Sequence, residues 1–129
     1  MGRTASSAAA GIAAWIALVI AADFAISAFW PAYRAAKPDY AFSLGMMIAR
    51  LAESTVALAF GTWVVTRIAP ASRAAPWAFG IVMLLFFIPI HYWLRDKFPA
   101  WYHAYFLASL IVLPVALARA ISPRPAPRA

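Results

Sequence analysis

Four apolar stretches, each about as long as a membrane span, dominate this 129-residue sequence. A transmembrane helix needs roughly 20 predominantly apolar residues. The stretches cover approximately residues 8–30, 42–68, 77–94 and 102–120. Short polar connections that contain proline separate them, and proline is best tolerated at helix ends. The sequence therefore predicts an all-α, polytopic membrane protein, in which residues 1–121 form one bundle of four transmembrane helices.

The composition fits a chain that is surrounded by lipid. Hydrophobic residues make up 66% of the chain and charged residues only 12%, and so small a domain cannot bury that much apolar surface. Cysteine is absent from the sequence, which excludes disulfide frameworks, thiolate nucleophiles and cysteine-ligated metals. The net charge is +7, but the basic residues stand at the ends of apolar stretches, as lipid-surface anchors do, and form no run suited to nucleic acid.

The distribution of basic residues predicts an orientation. The side of the termini carries Arg3, Arg67, Arg73, Arg119, Arg124 and Arg128, whereas the opposite side carries Arg34, Lys37, Arg95 and Lys97. This excess favours both termini in the cytoplasm of a bacterial inner membrane. Residues 122–129 alternate proline with basic and small residues, which predicts a disordered tail. A secretory signal is the alternative for the first stretch, but Asp23 would interrupt its apolar core, so we expect a retained helix.

Small and polar side chains should mark the helix faces that meet other helices, because lipid supplies no hydrophobic drive for helix association. On the first helix, alanine recurs at every fourth position from residue 9 to residue 25, which predicts a contact stripe. On the second helix, one face carries Arg50, Glu53, Ser54, Ala57 and Gly61. Charges facing hydrocarbon are costly, so we expect this second face to lie inside the bundle.

Three ionisable residues lie within the predicted spans: Asp23 on the first helix, and Arg50 and Glu53 on the second. Asp23 and Arg50 stand at similar distances from the joined ends of two antiparallel helices. We therefore predict that Arg50 bridges Asp23, with Glu53 one turn deeper. The cluster is either a closed ion-pair network that fixes helix register or a substrate or proton site. Its formal charge of minus one makes Glu53 the candidate to hold a proton or a cation.

The third connection contains a second polar cluster, formed by His91, Arg95, Asp96 and His103. It should face outward, and its two histidines should converge near the mouth of the first cluster. Eleven residues separate the histidines, which matches no standard zinc spacing, so we predict neither a metal site nor a haem or other cofactor. Each histidine is expected to cap or tether a helix end.

Three short runs carry a resemblance to other proteins: MMIARL at 46–51, IPIH at 88–91 and KFPAWYH at 97–103. With these runs, about the last two-thirds of the chain resembles an uncharacterised family of short bacterial four-helix integral membrane proteins. The resemblance implies the four-helix plan and carries no activity with it. The chain is similar to small multidrug transporters in size and plan alone, because Asp23 does not stand in that family's glutamate motif.

No catalytic motif is evident, so the first expectation is a non-enzymatic inner-membrane protein that acts as a subunit or accessory factor of a membrane complex. Its partners would be the lipid bilayer and another membrane protein or a second copy of itself, because four short helices leave little room for a substrate cavity. One alternative is a dimeric small transporter or proton-coupled carrier that uses Asp23, Arg50 and Glu53. Another is a membrane enzyme with His91 and His103 as acid and base.

Overall fold

The computed structural model describes residues 2–121, which contain five helices and no strand. The helices are α1 (Gly2–Phe29), α2 (Pro31–Ala36), α3 (Leu44–Ile68), α4 (Ala74–Trp93) and α5 (Ala100–Ile121). All except the short α2 are long and apolar enough to cross a membrane. This confirms the prediction of a helical chain with four candidate membrane spans. The predicted disordered tail, 122–129, lies outside the described residues.

Helix α1 begins at Gly2, whereas the sequence predicted a start near residue 8. The added turns are tied to the connection between α3 and α4. The Arg3 side chain donates a hydrogen bond of 3.3 Å to the carbonyl oxygen of Ile68, and the hydroxyls of Thr4 and Ser72 lie 3.3 Å apart. Tertiary contacts therefore extend the helix into a polar segment that hydropathy alone leaves out.

The short helix α2 was not predicted. Pro31 is its first residue, and the fixed φ of proline suits the first position of a helix. Tyr33 is fully buried, and its ring lies 5.9 Å from that of Trp30 and 5.4 Å from that of Phe42. These contacts hold α2 against the end of the bundle that also carries the α4–α5 connection, which we call the α2 end.

The four long helices form a closed ring in the order α1, α3, α5, α4, since α1 and α5 each pack against both α3 and α4. Helices α1 and α3 approach each other closely at Gly11 and Gly61. A Cβ atom added to Gly61 would stand 2.8 Å from the carbonyl oxygen of Gly11 and 2.9 Å from the ring of Phe79. Glycine is needed here because the two backbones touch.

The predicted contact stripe of α1 is wrong. The alanines at positions 9, 13, 17, 21 and 25 are all exposed, and the face that packs inside carries Ser7, Ala8, Gly11 and Trp15. Gly11 permits a closer approach than alanine does, which sets the helix rotation. On α3 the prediction holds: Ser54, Ala57 and Gly61 are buried, and Arg50 and Glu53 are partly buried.

Candidate functional site

The two long helices α1 and α3 bring their charged residues to one level below the α2 end. Asp23 lies six residues before the last residue of α1, and Arg50 six residues after the first residue of α3. At 1.5 Å per residue, both lie roughly 9 Å from those helix ends. The depth match that the sequence predicted is therefore present, because α1 and α3 are antiparallel neighbours.

The predicted ion pair between Arg50 and Asp23 is wrong, because Tyr33 of α2 stands between them. Arg50 Nη1 donates a hydrogen bond of 2.9 Å to the Tyr33 hydroxyl. That hydroxyl donates in turn to Asp23 Oδ1 at 3.2 Å. The physical reason is the fold of α2, which turns back over the bundle and inserts a phenol at the level of the two charges.

Asp23 has Lys37 as its ionic partner. Lys37 Nζ contacts Asp23 Oδ2 and also lies 3.3 Å from the hydroxyl of Ser27. The sequence interpretation assigned Lys37 to the headgroup surface and missed this contact. The available signal was weak: Pro31 could start a helix, and a helix of one or two turns would return Lys37 toward α1.

Tyr33 completes a polar network of five residues: Asp23, Ser27, Tyr33, Lys37 and Arg50. Burial raises the pKa of Tyr33 to about 12, although the Arg50 charge and its hydrogen bond act in the opposite direction. The phenol therefore stays protonated at physiological pH. A protonated phenol both accepts from Arg50 and donates to Asp23, so it joins the two charges without neutralising either one.

Arg50 has aromatic and phenolic neighbours instead of a carboxylate. Its guanidinium carbon lies 4.8 Å from the centre of the Phe42 ring, and the Tyr102 phenol lies beside it. Within residues 2–121, no carboxylate approaches Arg50 to ion-pair distance, and its Nε is buried without a hydrogen-bond partner. A partly buried guanidinium without an ion-pair partner is costly within a membrane span.

Glu53 is half-buried, one turn deeper than Arg50. In the described part of the chain it forms no ion pair. The three residues of the predicted cluster nevertheless face one space, because Asp23, Arg50 and Glu53 all line the same cavity. The sequence thus located the cluster correctly, although it assigned the wrong partners.

The cavity has a volume of about 880 Å³, which contradicts the expectation that four short helices leave little interior. Arg34, Lys37, Asp23, Arg50 and Glu53 form its charged part, and Trp15, Val19, Ile20, Phe24, Phe87 and Phe106 form much of its apolar wall. A space of this size, mostly apolar with a few convergent polar groups, has the form of a small-molecule site.

The cavity opens through the side of the bundle. Two of its lining residues, Ile20 and Phe24 of α1, are exposed by 65% and 74%. Helix α1 contributes more lining residues than any other helix, whereas α4 contributes only Phe87. Because α1 is long and apolar enough to span a membrane, this opening would face lipid.

The structure divides the second predicted cluster into two pairs. His91 Nδ1 and His103 Nδ1 lie 2.7 Å apart, and His91 stacks on Phe106 with ring centres 4.4 Å apart. Arg95 Nε lies 3.7 Å from Asp96 Oδ2, and both side chains are exposed. The histidines converge with each other as predicted, but neither lines the cavity.

The histidine pair connects α4 to the first turn of α5. Among residues 2–121 no group of three or more His, Asp or Glu side chains is close enough to hold a metal ion. One of the two facing nitrogens must carry a hydrogen while the other accepts it, so the arrangement ties two helix ends together.

Comparisons with protein-family models, with curated proteins and with solved structures found no match for this chain. The resemblance to short bacterial four-helix membrane proteins therefore stays a prediction.

Proposed function

We propose that this chain is a small multi-pass membrane carrier that binds one amphipathic molecule in the cavity below the α2 end. The observation that carries the proposal is that exposed apolar residues, Ile20 and Phe24, line the same cavity as the charged residues Asp23, Arg50 and Glu53. A molecule with an apolar body could enter from the lipid and place its polar end among the charges. The proposal includes a bacterial inner membrane location with both termini in the cytoplasm, which the distribution of basic residues supports.

The positions of the charges support binding in preference to a purely structural cluster. Asp23 is neutralised by Lys37, whereas Arg50 and Glu53 face the cavity without an ionic partner in the described residues. A network that only fixed helix register would pair these two. Glu53 is thus the group whose proton would exchange when a ligand binds, which makes the carrier proton-coupled.

A matched series of probes tests the proposal. Oleyl alcohol, oleylamine and oleyl phosphate share one chain and differ in head charge. Native mass spectrometry of the detergent-solubilised protein should show saturable binding of one molecule of at least one probe. Ala28 lines the cavity and is exposed, so Ala28→Phe should weaken binding about tenfold or more by obstructing the entrance.

Ala25→Phe is the control, since Ala25 is exposed on the same helix and does not line the cavity. Equal binding in the two variants, or no saturable binding of any probe, would overturn the proposal. The same purified protein also distinguishes a carrier from the accessory subunit that the sequence predicted. A larger membrane protein retained in fixed stoichiometry by both variants would favour that role instead.

A further inference from the structure

The carrier proposed above leaves open what kind of polar end the cavity recognises. We propose that it recognises a phosphate group, with Arg50 as the principal anion-binding residue and the exposed Arg34 as a second cation that lines the same cavity. This inference rests on the proposed function, because it names the ligand class for the same cavity. It is based on two observations: Arg50 has no ion-pair partner in the described residues, and the charged side chains that line the cavity have a net positive charge.

Arg50 has unused hydrogen-bonding capacity that points to an anion. A guanidinium offers five N–H donors; here one donor is used by Tyr33, and Tyr102 supplies a second phenolic neighbour. Both neighbours are phenols, and neither is a carboxylate that could pair with the guanidinium charge. Arginine is the residue best suited to hold a phosphate through paired hydrogen bonds, and a phosphate would supply the missing counter-charge.

The remaining charges at the site also favour an anion. Arg34, Lys37 and Arg50 line the cavity against two carboxylates, Asp23 and Glu53. Asp23 and Lys37 neutralise each other, so two guanidinium groups remain against one carboxylate. Arg34 is exposed and forms no ion pair within residues 2–121.

The distribution of the apolar walls indicates how a phosphate-bearing amphipath would lie. Trp15 stands fourteen residues before the end of α1, roughly 21 Å down the helix at 1.5 Å per residue. Arg50 lies roughly 9 Å from the start of α3 on the same scale. If the phosphate lies at Arg50, the alkyl chain of the ligand would lie among Trp15, Val19 and Phe87. The alkyl chain would then contact lipid beside the exposed Ile20 and Phe24.

Head-group selectivity is the first test. Oleyl phosphate should bind roughly 10- to 100-fold more tightly than oleyl alcohol or oleylamine, the range expected for one or two charge-assisted hydrogen bonds. If oleyl alcohol or oleylamine bound more tightly than oleyl phosphate, and Ala28→Phe removed this binding, the phosphate inference would be overturned but the carrier proposal would not. Absence of saturable binding by all three probes would remove both.

Variants at the arginines are the second test. Arg50→Gln should reduce oleyl phosphate affinity by about tenfold or more and bring it to the level of oleyl alcohol. Since Arg50→Gln could disturb folding, Arg34→Gln provides an exposed variant that should weaken oleyl phosphate binding roughly 3- to 10-fold. Arg95→Gln is its control, because Arg95 is exposed, pairs with Asp96 and does not line the cavity. The inference would be overturned if Arg34→Gln and Arg95→Gln bound oleyl phosphate with equal affinity and a folded Arg50→Gln variant bound it as tightly as the native protein.

A phosphate group could belong to a lipid or to a water-soluble molecule, and competition distinguishes these sources. Inorganic phosphate that displaces oleyl phosphate at millimolar concentration would support the phosphate site and assign it to a soluble ligand. Displacement only by long-chain phosphates would support it and assign it to a lipid headgroup.

Discussion

The guanidinium of Arg50 donates its hydrogen bond to the hydroxyl of Tyr33, at 2.9 Å. Tyr33 belongs to α2 and Arg50 to α3, so this bond adds a polar tie between the short helix and the bundle to the aromatic contacts of Tyr33. The same hydroxyl donates to Asp23 of α1. Three helices therefore meet at one phenol, which links two of the charged residues that line the cavity.

Tyr33→Phe should destabilise the protein by about 1–3 kcal/mol, the usual effect of leaving buried polar groups without a partner. The ring and its contacts with Trp30 and Phe42 would remain, so the loss isolates the hydroxyl. Tyr92→Phe is the control, because Tyr92 is 69% exposed at the same end of the bundle. Thermal unfolding in one detergent measures both variants, and an equal change in the two would show that the Tyr33 hydroxyl contributes nothing specific.

The same hydroxyl gives the protein an alkaline transition. Burial raises the pKa of Tyr33 from 10.0 to about 12, so the folded protein holds this proton more tightly than the unfolded chain does. The stabilisation is complete below pH 10.0 and is lost as pH rises toward about 12. The unfolding temperature should fall over this window with a smaller slope in Tyr33→Phe than in the native protein. Identical slopes in Tyr33→Phe and the native protein would contradict the assignment.

Hydropathy predicted the four long helices because each must supply enough apolar residues to cross lipid. The length of each apolar stretch was enough to predict a long helix. The positions of Asp23 and Arg50 along their helices predicted that the two residues lie at a common depth. The short helix α2 escaped this reasoning, since six residues carry no periodic signal. What sets α2 is the burial of Tyr33 between Trp30 and Phe42, which is a tertiary contact.

The partners of the charged residues could not be predicted for the same reason. The sequence showed one arginine and two carboxylates within the spans, and pairing them was the simplest solution. Lys37 competes successfully for Asp23 because α2 returns the chain toward α1. The rotation of α1 was also missed, since the glycine contact at Gly11 decides it and the more regular alanine pattern does not.

The crossing of α1 and α3 gives a prediction about packing. Gly61→Ala should cost about 1–3 kcal/mol of stability, because the new methyl group would stand 2.8 Å from the Gly11 carbonyl oxygen and overpack the contact. Gly45→Ala is the matched control, since the nearest atom to its methyl group would be Ser43 Oγ at 4.0 Å. Alanine at that helical position should preserve or raise stability. Denaturant unfolding that ranks Gly61→Ala equal to Gly45→Ala would rule out a backbone contact at the crossing.

The histidine pair gives the last prediction, which a double-mutant cycle tests. His91 is 7% exposed, and its Nδ1 lies 2.7 Å from that of His103. Either His91→Phe or His103→Phe alone should cost about 1–3 kcal/mol, because the remaining ring would keep a polar nitrogen among Phe87, Phe98 and Phe106 without its partner. The double variant should cost less than the sum of the two, with a coupling energy of about 0.5–3 kcal/mol.

This cycle also distinguishes a histidine pair that stabilises the fold from one that takes part in ligand binding. If the pair ties α4 to α5, both single variants lose stability, and the double variant recovers part of it because no unpaired nitrogen remains. Binding of the oleyl probes should survive in the double variant, since neither histidine lines the cavity. Additive losses would show that the two rings do not share a hydrogen bond. Loss of probe binding with full stability would instead place the pair in the ligand site, contrary to the cavity lining.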